Sequence, residues 1–192
     1  TFADGVNGGR LMRVVRVVVT GSECTGKTTL AEALAESYST AAVVEYARQF
    51  VLEKGAAPAC RDVGAVARGQ IELEDAGARE ASRRGATTGI VIQDTDLVST
   101  VIYSHHYYGE CPPWIEEALD ERPADLYLLT DIDVPWVPDG DQRDRPDQRE
   151  EMQELFRRTL AERGARVVEL RGSRDERFAT AKAAIDELAS AD

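Results

Sequence analysis

The chain has 192 residues, of which 43% are hydrophobic, a size and apolar content that fit one compact α/β domain with its own core. Its formal net charge is −12, and a surface this acidic repels nucleic acid and anionic membranes, so we expect neither as a partner. No apolar run approaches the ~20 residues of a membrane span. Three scattered cysteines without zinc-finger spacing indicate the reduced thiols of a cytoplasmic protein.

The predicted elements alternate in type along the chain. Residues 1–11 are interpreted as a flexible leader or a remnant of a longer protein, and residues 12–192 as a single domain. Strands are predicted at Val14 to Val19, Ala41 to Glu45, Gly89 to Asp94, Asp125 to Thr130 and Arg166 to Leu170. Helices are predicted at Thr28 to Ser37, Tyr46 to Lys54, Asp62 to Arg84, Leu97 to Tyr108, Pro112 to Leu119, Gln148 to Arg163 and Asp175 to Ala189.

Short apolar strands separated by helices predict an α/β fold with a five-stranded parallel sheet and helices on both faces. The first strand is nearly all valine, which is typical of a strand buried on both sides. Ligands of such sheets bind at the carboxyl ends of the strands. We therefore expect the functional residues in the loops that follow the strands.

The loop after the first strand fits G-x-x-x-x-G-K-[ST] at every fixed position and stands between a predicted strand and a predicted helix. Its glycines let the backbone curl around phosphate groups, and the helix start adds a positive end. Lys27 is expected to reach the β- and γ-phosphates of a nucleotide, and the Thr28 hydroxyl to ligate Mg²⁺. The predicted nucleotide-binding residues of this loop are Gly21, Ser22, Glu23, Cys24, Thr25, Gly26, Lys27, Thr28 and Thr29.

Carboxylates follow two further strands. Asp94 directly follows the apolar part of the third strand, where it could ligate Mg²⁺ or accept a proton from an attacking hydroxyl. We expect Asp96 to cap the next helix. Glu45 ends the second strand and could take a hydroxyl proton or bind a ribose diol, and Arg48 could steady Glu45 or an anionic group of the substrate. A surface salt bridge between Glu45 and Arg48 is the alternative.

The segment after the fourth strand, residues 133–151, combines prolines with many charges. Arg143, Arg145 and Arg149 stand out in an acidic protein and could close on a transferring phosphate as an arginine-rich lid that excludes water. Pairing with neighbouring aspartates is the alternative for each arginine. Trp136 is a candidate for stacking on a flat ring.

An aromatic cluster, residues 103–117, could line a pocket for a flat ring, with packing in the core as the alternative. It contains both histidines of the chain, His105 and His106. Adjacent histidines on a helix point in different directions, so we expect a structural or surface role for each rather than a shared metal.

Several motifs occur together in an order that resembles one family. The segments GSECTGKTTLAEALA, VVEYARQFV, VIQDTDLVSTVIYS, YYGECPPWI and DVPWVPDGDQRDRPDQRE resemble the ribosylnicotinamide kinase domain of bacterial NAD-biosynthesis regulators and its stand-alone relatives. The likeness extends from about Val14 to the last helix. The first motif is generic, whereas EYAR, DTD and the PWVPDG segment are more specific.

The resemblance implies a P-loop kinase fold that transfers the γ-phosphate of ATP, with Mg²⁺, to the 5′-hydroxyl of nicotinamide riboside. By position it implies that the first loop and Arg149 hold ATP and that Asp94 lies beside Mg²⁺ and the acceptor. The residues implied on the substrate side are Glu45, Tyr46, Arg48, Asp94, Asp96 and Trp136. Two alternatives stay open, namely a kinase for another nucleoside and a regulatory ATPase that signals through a partner.

Overall fold

The computed structural model describes residues 13–84, 88–135 and 148–190, and the following elements refer to these ranges. The strands are β1 Arg13–Thr20, β2 Ala42–Val43, β3 Thr88–Asp94, β4 Leu126–Thr130 and β5 Val167–Leu170. The α-helices are α1 Lys27–Ser37, α2 Tyr46–Lys54, α3 Val63–Arg84, α4 Leu97–Tyr108, α5 Pro113–Glu121, α6 Arg149–Glu162 and α7 Arg174–Ser190. The leader at residues 1–11 and the lid residues Trp136, Arg143 and Arg145 lie outside the described residues.

The five strands form one parallel sheet, as predicted, and the structure gives their order as β2-β3-β1-β4-β5. Strand β1 lies in the centre, with Val19 in register with Asp94 of β3. Successive side chains of a strand point to opposite faces. Val17 and Val19 accordingly pack with α1 and α7, whereas Val18 packs with α3, α4, α5 and α6 on the other face. None of the helices in these ranges is both long enough and apolar enough to cross a bilayer.

Helix α3 approaches α2 very closely because a glycine faces its neighbour. A Cβ atom at Gly69 would lie 2.2 Å from the ring of Tyr46, the first residue of α2. The next residue, Gln70, accepts a hydrogen bond from the backbone N–H of Tyr46 at 2.9 Å. Gln70 is buried, so this contact fixes the start of α2 on α3.

We expect Gly69→Ala to lower the free energy of unfolding by ~1–3 kcal/mol, because an added methyl group must displace the Tyr46 ring from a packed contact. Urea unfolding measures the change. Gly64→Ala is the matched control on the same helix, since its nearest non-neighbouring atom would lie at 3.4 Å, an ordinary contact distance. Equal stability of the two variants would contradict the close approach.

Candidate active site

The loop between β1 and α1 has the backbone of a phosphate cradle. Gly21 has φ +132° and Gly26 has φ +81°, and Cys24 between them also lies in the left-handed region at φ +55°. A Cβ atom at Gly21 would lie 2.8 Å from the carbonyl oxygen of Thr130, so only glycine lets the loop leave the sheet this close to β4.

Buried side chains fasten this loop to β4 and α6. The hydroxyls of Thr25 and Thr130 are 2.7 Å apart and hydrogen-bonded. Gln153, fully buried on α6, accepts a hydrogen bond from the Ser22 N–H at 3.3 Å and donates one to the Thr130 carbonyl at 3.1 Å. The loop therefore rests on an internal polar network and holds its shape through the fold.

Arg149, at the start of α6, lies behind the loop. Its guanidinium donates to the carbonyl oxygens of Val134 at 2.8 Å and Cys24 at 3.1 Å. Because a trans peptide directs its C=O and its N–H in opposite directions, this bond turns the Thr25 N–H away from the arginine. Arg149 thus shapes the loop here, and its predicted direct contact with a nucleotide stays a prediction.

Arg177 of α7 binds the next carbonyl of the loop, that of Thr25, in the way that Arg149 binds that of Cys24. The sequence analysis did not identify Arg177 as a site residue. Its guanidinium donates to the carbonyls of Thr25 at 2.9 Å, Gly172 at 3.0 Å and Asp131 at 3.0 Å, and it pairs with Asp133. The side chain is buried. In the sequence, Arg177 lies among other charged residues of α7, and that local pattern does not distinguish it from a surface arginine.

The reactive edge of the loop combines Lys27, Thr28 and Asp94. The Lys27 ammonium donates to the Ser22 carbonyl at 2.8 Å, and the Thr28 hydroxyl donates to Asp94 Oδ2 at 2.6 Å. The strand register that sets Asp94 beside Val19 produces this second contact. Burial raises the pKa of Asp94, and the Thr28 hydrogen bond and the Lys27 charge partly offset that rise.

The other oxygen of Asp94, Oδ1, is buried without a hydrogen-bond partner among the described residues. An unsatisfied buried carboxylate oxygen is costly unless a cation or a proton completes it. A carboxylate and a hydroxyl are hard oxygen donors of the kind that Mg²⁺ prefers. Asp94 and Thr28 therefore fit the predicted magnesium site.

Beside this edge lies a cavity of about 470 Å³ between the loop and helices α2, α3 and α4. That volume lies within the range of small-molecule sites. Predicted site residues that line it are Gly21, Glu23, Cys24, Lys27, Glu45, Arg48 and Asp96. Lining residues that the sequence interpretation missed include Gln70, Thr95, Ser99 and Thr100.

Glu45 and Arg48 meet at the mouth of the cavity as an ion pair, with 2.8 Å between Oε2 and Nε. The pair that was considered as an alternative is therefore present, and it lines the cavity as well. The charge of Glu45 also contributes to the raised pKa of Asp94, so the two carboxylates interact electrostatically. Tyr46 points its ring at Gly69 instead, and its predicted substrate contact stays a prediction.

The aromatic cluster both lines the cavity and packs against the core, the two roles that the sequence left open. Tyr103 and Tyr107 stack with centroids 5.9 Å apart and planes 6° apart, and both line the cavity. Tyr103 also packs edge-on against Phe156 of the core at 6.1 Å. The cavity therefore has an aromatic wall that is anchored in the core.

Asp96 caps α4, as expected. Its Oδ1 accepts from the Val98 N–H at 3.0 Å and its Oδ2 from the Tyr127 hydroxyl at 2.7 Å. Burial raises the pKa of Asp96 to about 6. The preceding Thr95 has φ +69°, a strained conformation for threonine, at the turn between Asp94 and the cap.

A second buried carboxyl group, Glu74 of α3, makes stability depend on pH. Burial and the charge of Asp96 raise the pKa of Glu74 from 4.5 to about 7, although Arg122 lies 3.7 Å away. The folded protein thus holds this proton to higher pH than the unfolded chain does. The associated stability is present below pH 4.5 and is lost as the pH rises through about 7.

We expect Glu74→Gln to reduce the loss of unfolding free energy between pH 5 and pH 8 by on the order of 2 kcal/mol, because glutamine does not ionise. Urea unfolding of both proteins at the two pH values measures it. Glu72→Gln, at an exposed position of the same helix, is the control and should keep the wild-type pH dependence. An unchanged pH dependence in Glu74→Gln would contradict the assignment.

Known proteins resemble this chain in sequence and in fold. The chain is 30% identical over 128 residues to the trifunctional NAD biosynthesis/regulator protein NadR of Escherichia coli (strain K12). The matched segment covers 65% of this chain and 30% of the relative. The relative from Salmonella typhimurium matches to the same extent. The chain thus spans less than a third of the length of these relatives.

Solved structures extend the match to nearly the whole chain. A NadR structure in complex with NR has a TM-score of 0.72 and 28% identity over 93% of this chain and 52% of its own. A NadR structure with NAD and AMP-PNP has a TM-score of 0.71 at 24% identity, over 93% of this chain and 50% of its own. The fold also matches thymidylate kinase from Ehrlichia chaffeensis, with a TM-score of 0.64 at 16% identity over 92% of this chain and 99% of that one.

These matches confirm the P-loop kinase-like fold and the resemblance to the NAD-biosynthesis regulators. They support nucleotide binding by this fold, whereas the assignment of that role to residues 21–28 stays a prediction. A family model described as "AAA domain" matches residues 16–177, which include the loop, the cavity and both arginines behind the loop. The chain therefore belongs to the AAA domain family.

Proposed function

We propose that residues 12–192 form one ATP-dependent kinase domain that transfers the γ-phosphate of ATP to the 5′-hydroxyl of nicotinamide riboside, giving nicotinamide mononucleotide. One observation carries the proposal: the phosphate loop, through Gly21 and Lys27, borders a cavity of nucleoside size with an aromatic wall. The buried Asp94 is hydrogen-bonded to Thr28 of the same loop. The similarity to a NadR structure bound to NR supports the choice of acceptor. The similarity to a structure that holds AMP-PNP supports ATP as the donor.

The transfer is an in-line displacement. The acceptor oxygen forms a bond to the γ-phosphorus while the bond to the bridging β-oxygen breaks, and ADP leaves. Lys27 neutralises charge on the β- and γ-phosphates, and the loop N–H groups hold them. Arg143 and Arg145 of the lid segment complete the charge stabilisation in this proposal. Most of the rate gain comes from positioning and charge rather than from the base.

The hydroxyl proton goes to one of two carboxylates. Asp94 is buried beside the phosphate loop, where burial raises its pKa, and Glu45 lines the cavity. Mg²⁺ would be held by Thr28 and Asp94, and when bound it supplies positive charge at the β- and γ-phosphate oxygens. The variant Glu45→Gln separates the two bases: if Glu45 is the base, kcat falls without a change in the Mg²⁺ requirement.

The decisive experiment is a titration with nicotinamide riboside in the presence of ATP and Mg²⁺, with the product identified by mass. The proposal expects a phosphorylated riboside and ADP in equal amounts. A panel of other nucleosides and deoxynucleosides is the comparison. A higher kcat/KM for another nucleoside would overturn the acceptor, and ADP release that no acceptor stimulates would favour the regulatory ATPase instead.

A further inference from the structure

Three different metal-binding side chains converge at the corner between α4 and α5, on the outside of the cavity wall. The side chains are those of His105, Cys111 and Glu116, and their ligand atoms all lie within 4.8 Å of one another. None of the three belongs to the candidate phosphate-transfer site or to the site residues that the resemblance implies. We propose that this corner binds a divalent transition metal of the zinc class.

The backbone of the corner is fixed before any metal binds. Helix α4 ends at Tyr108, and the following Gly109, with φ +73°, turns the chain. Pro113 begins α5 at a proline-favoured position. The Ser104 hydroxyl donates to the Glu110 carbonyl at 2.6 Å and pins the residue before Cys111. His105 thus lies in the last turn of α4 and Glu116 in the first turn of α5, with Cys111 between them.

Only small side-chain movements are needed to bring the three ligand atoms to the spacing of a zinc site. His105 Nε2 and Glu116 Oε1 are already 2.8 Å apart. A zinc ion bonded at about 2.0–2.3 Å to nitrogen, oxygen and sulfur in tetrahedral geometry keeps its ligands roughly 3–4 Å apart. Both side chains are partly exposed, so they can rotate to that spacing without disturbing the core.

The donor types select the metal. A thiolate, an imidazole and a carboxylate suit zinc or cobalt, whereas Mg²⁺ prefers oxygen donors such as those of Thr28 and Asp94. Three protein ligands leave a fourth position for water. Because Tyr107 and Tyr108 of the same helix end line the cavity, a metal at this corner would also stiffen the aromatic wall.

Cobalt titration tests the proposal without any nucleotide, so the result is independent of the proposed kinase activity. With Co²⁺ the protein should develop a thiolate-to-cobalt charge-transfer band that saturates at one equivalent and is displaced by Zn²⁺. Cys111→Ala should lose the band. His105→Ala and Glu116→Gln, changes at partly exposed side chains, should weaken Co²⁺ binding at least ~10-fold.

The chain offers matched controls at neighbouring positions. His106→Ala and Glu117→Gln change the same residue types one position away and should bind Co²⁺ like the wild type. Cys24→Ala and Cys60→Ala should also keep the band. No band at one equivalent, a band that survives in Cys111→Ala, or its loss in Cys60→Ala or Cys24→Ala would each overturn the site.

Discussion

Replacing Lys27 with alanine is expected to lower phosphoryl transfer at least ~100-fold, because the loop then lacks its one side-chain cation for the β- and γ-phosphates. Steady-state assays of ADP release with saturating acceptor measure the loss. The fold should persist, since within residues 13–84, 88–135 and 148–190 the Lys27 ammonium makes one hydrogen bond, to the Ser22 carbonyl. Circular dichroism and thermal unfolding check that.

The control for this variant is Lys182→Ala. Lys182 lies on α7 and pairs with Asp186 on the surface. Removing a surface charge of the same kind should leave kcat within about twofold of the wild type. Near-normal turnover in Lys27→Ala, with the fold intact, would refute its role at the phosphates.

The second large effect is expected for Asp94→Asn, with a kcat at least ~100-fold lower and a Mg²⁺ requirement shifted to higher concentration. Asparagine preserves the shape and can still accept the Thr28 hydrogen bond, but it removes the negative charge that would hold the metal. Initial rates across a Mg²⁺ series at fixed ATP separate the two parameters.

Asp96→Asn is the informative comparison, because Asp96 is two residues away and equally buried but caps α4. This variant should lose on the order of 1–2 kcal/mol of stability, as the Tyr127 hydroxyl would face an amide, while keeping the Mg²⁺ dependence of the wild type. If the two variants shift the Mg²⁺ requirement equally, Asp94 has no special relation to the metal.

Most of the fold could be predicted because its signals are local. The two termini of α2 and the two termini of α4 coincide with the predicted ones. A glycine follows the C-terminus of each helix, and Asp96 caps the N-terminus of α4. Strand β2 is shorter than predicted, at Ala42–Val43. It pairs with β3 over only two residues, and the length of such pairing depends on the neighbouring strand rather than on the apolar run itself.

The site could be predicted only in part, because some of its residues act through contacts that leave no local signal in the sequence. The phosphate loop and Asp94 follow strands directly, so their place at the sheet edge can be inferred from position. Gln153, Arg177 and Gln70 act through contacts with residues distant in sequence, and no local pattern marks them. A buried arginine that binds carbonyl oxygens has the same sequence signature as an exposed one.

The acidic charge of the chain and the buried Arg149 behind the phosphate loop lead to an expected salt response of nucleotide binding. A chain of net charge −12 repels a polyphosphate at long range, whereas the buried Arg149 should attract it at short range; the charge of Arg177 is paired with Asp133. At 0.1 M salt, repulsion between charges more than about 10 Å apart is largely screened. The attraction exerted by a buried charge is screened much less. Higher ionic strength should therefore speed nucleotide association and barely alter dissociation, the reverse of the salt response of basic phosphate-binding proteins.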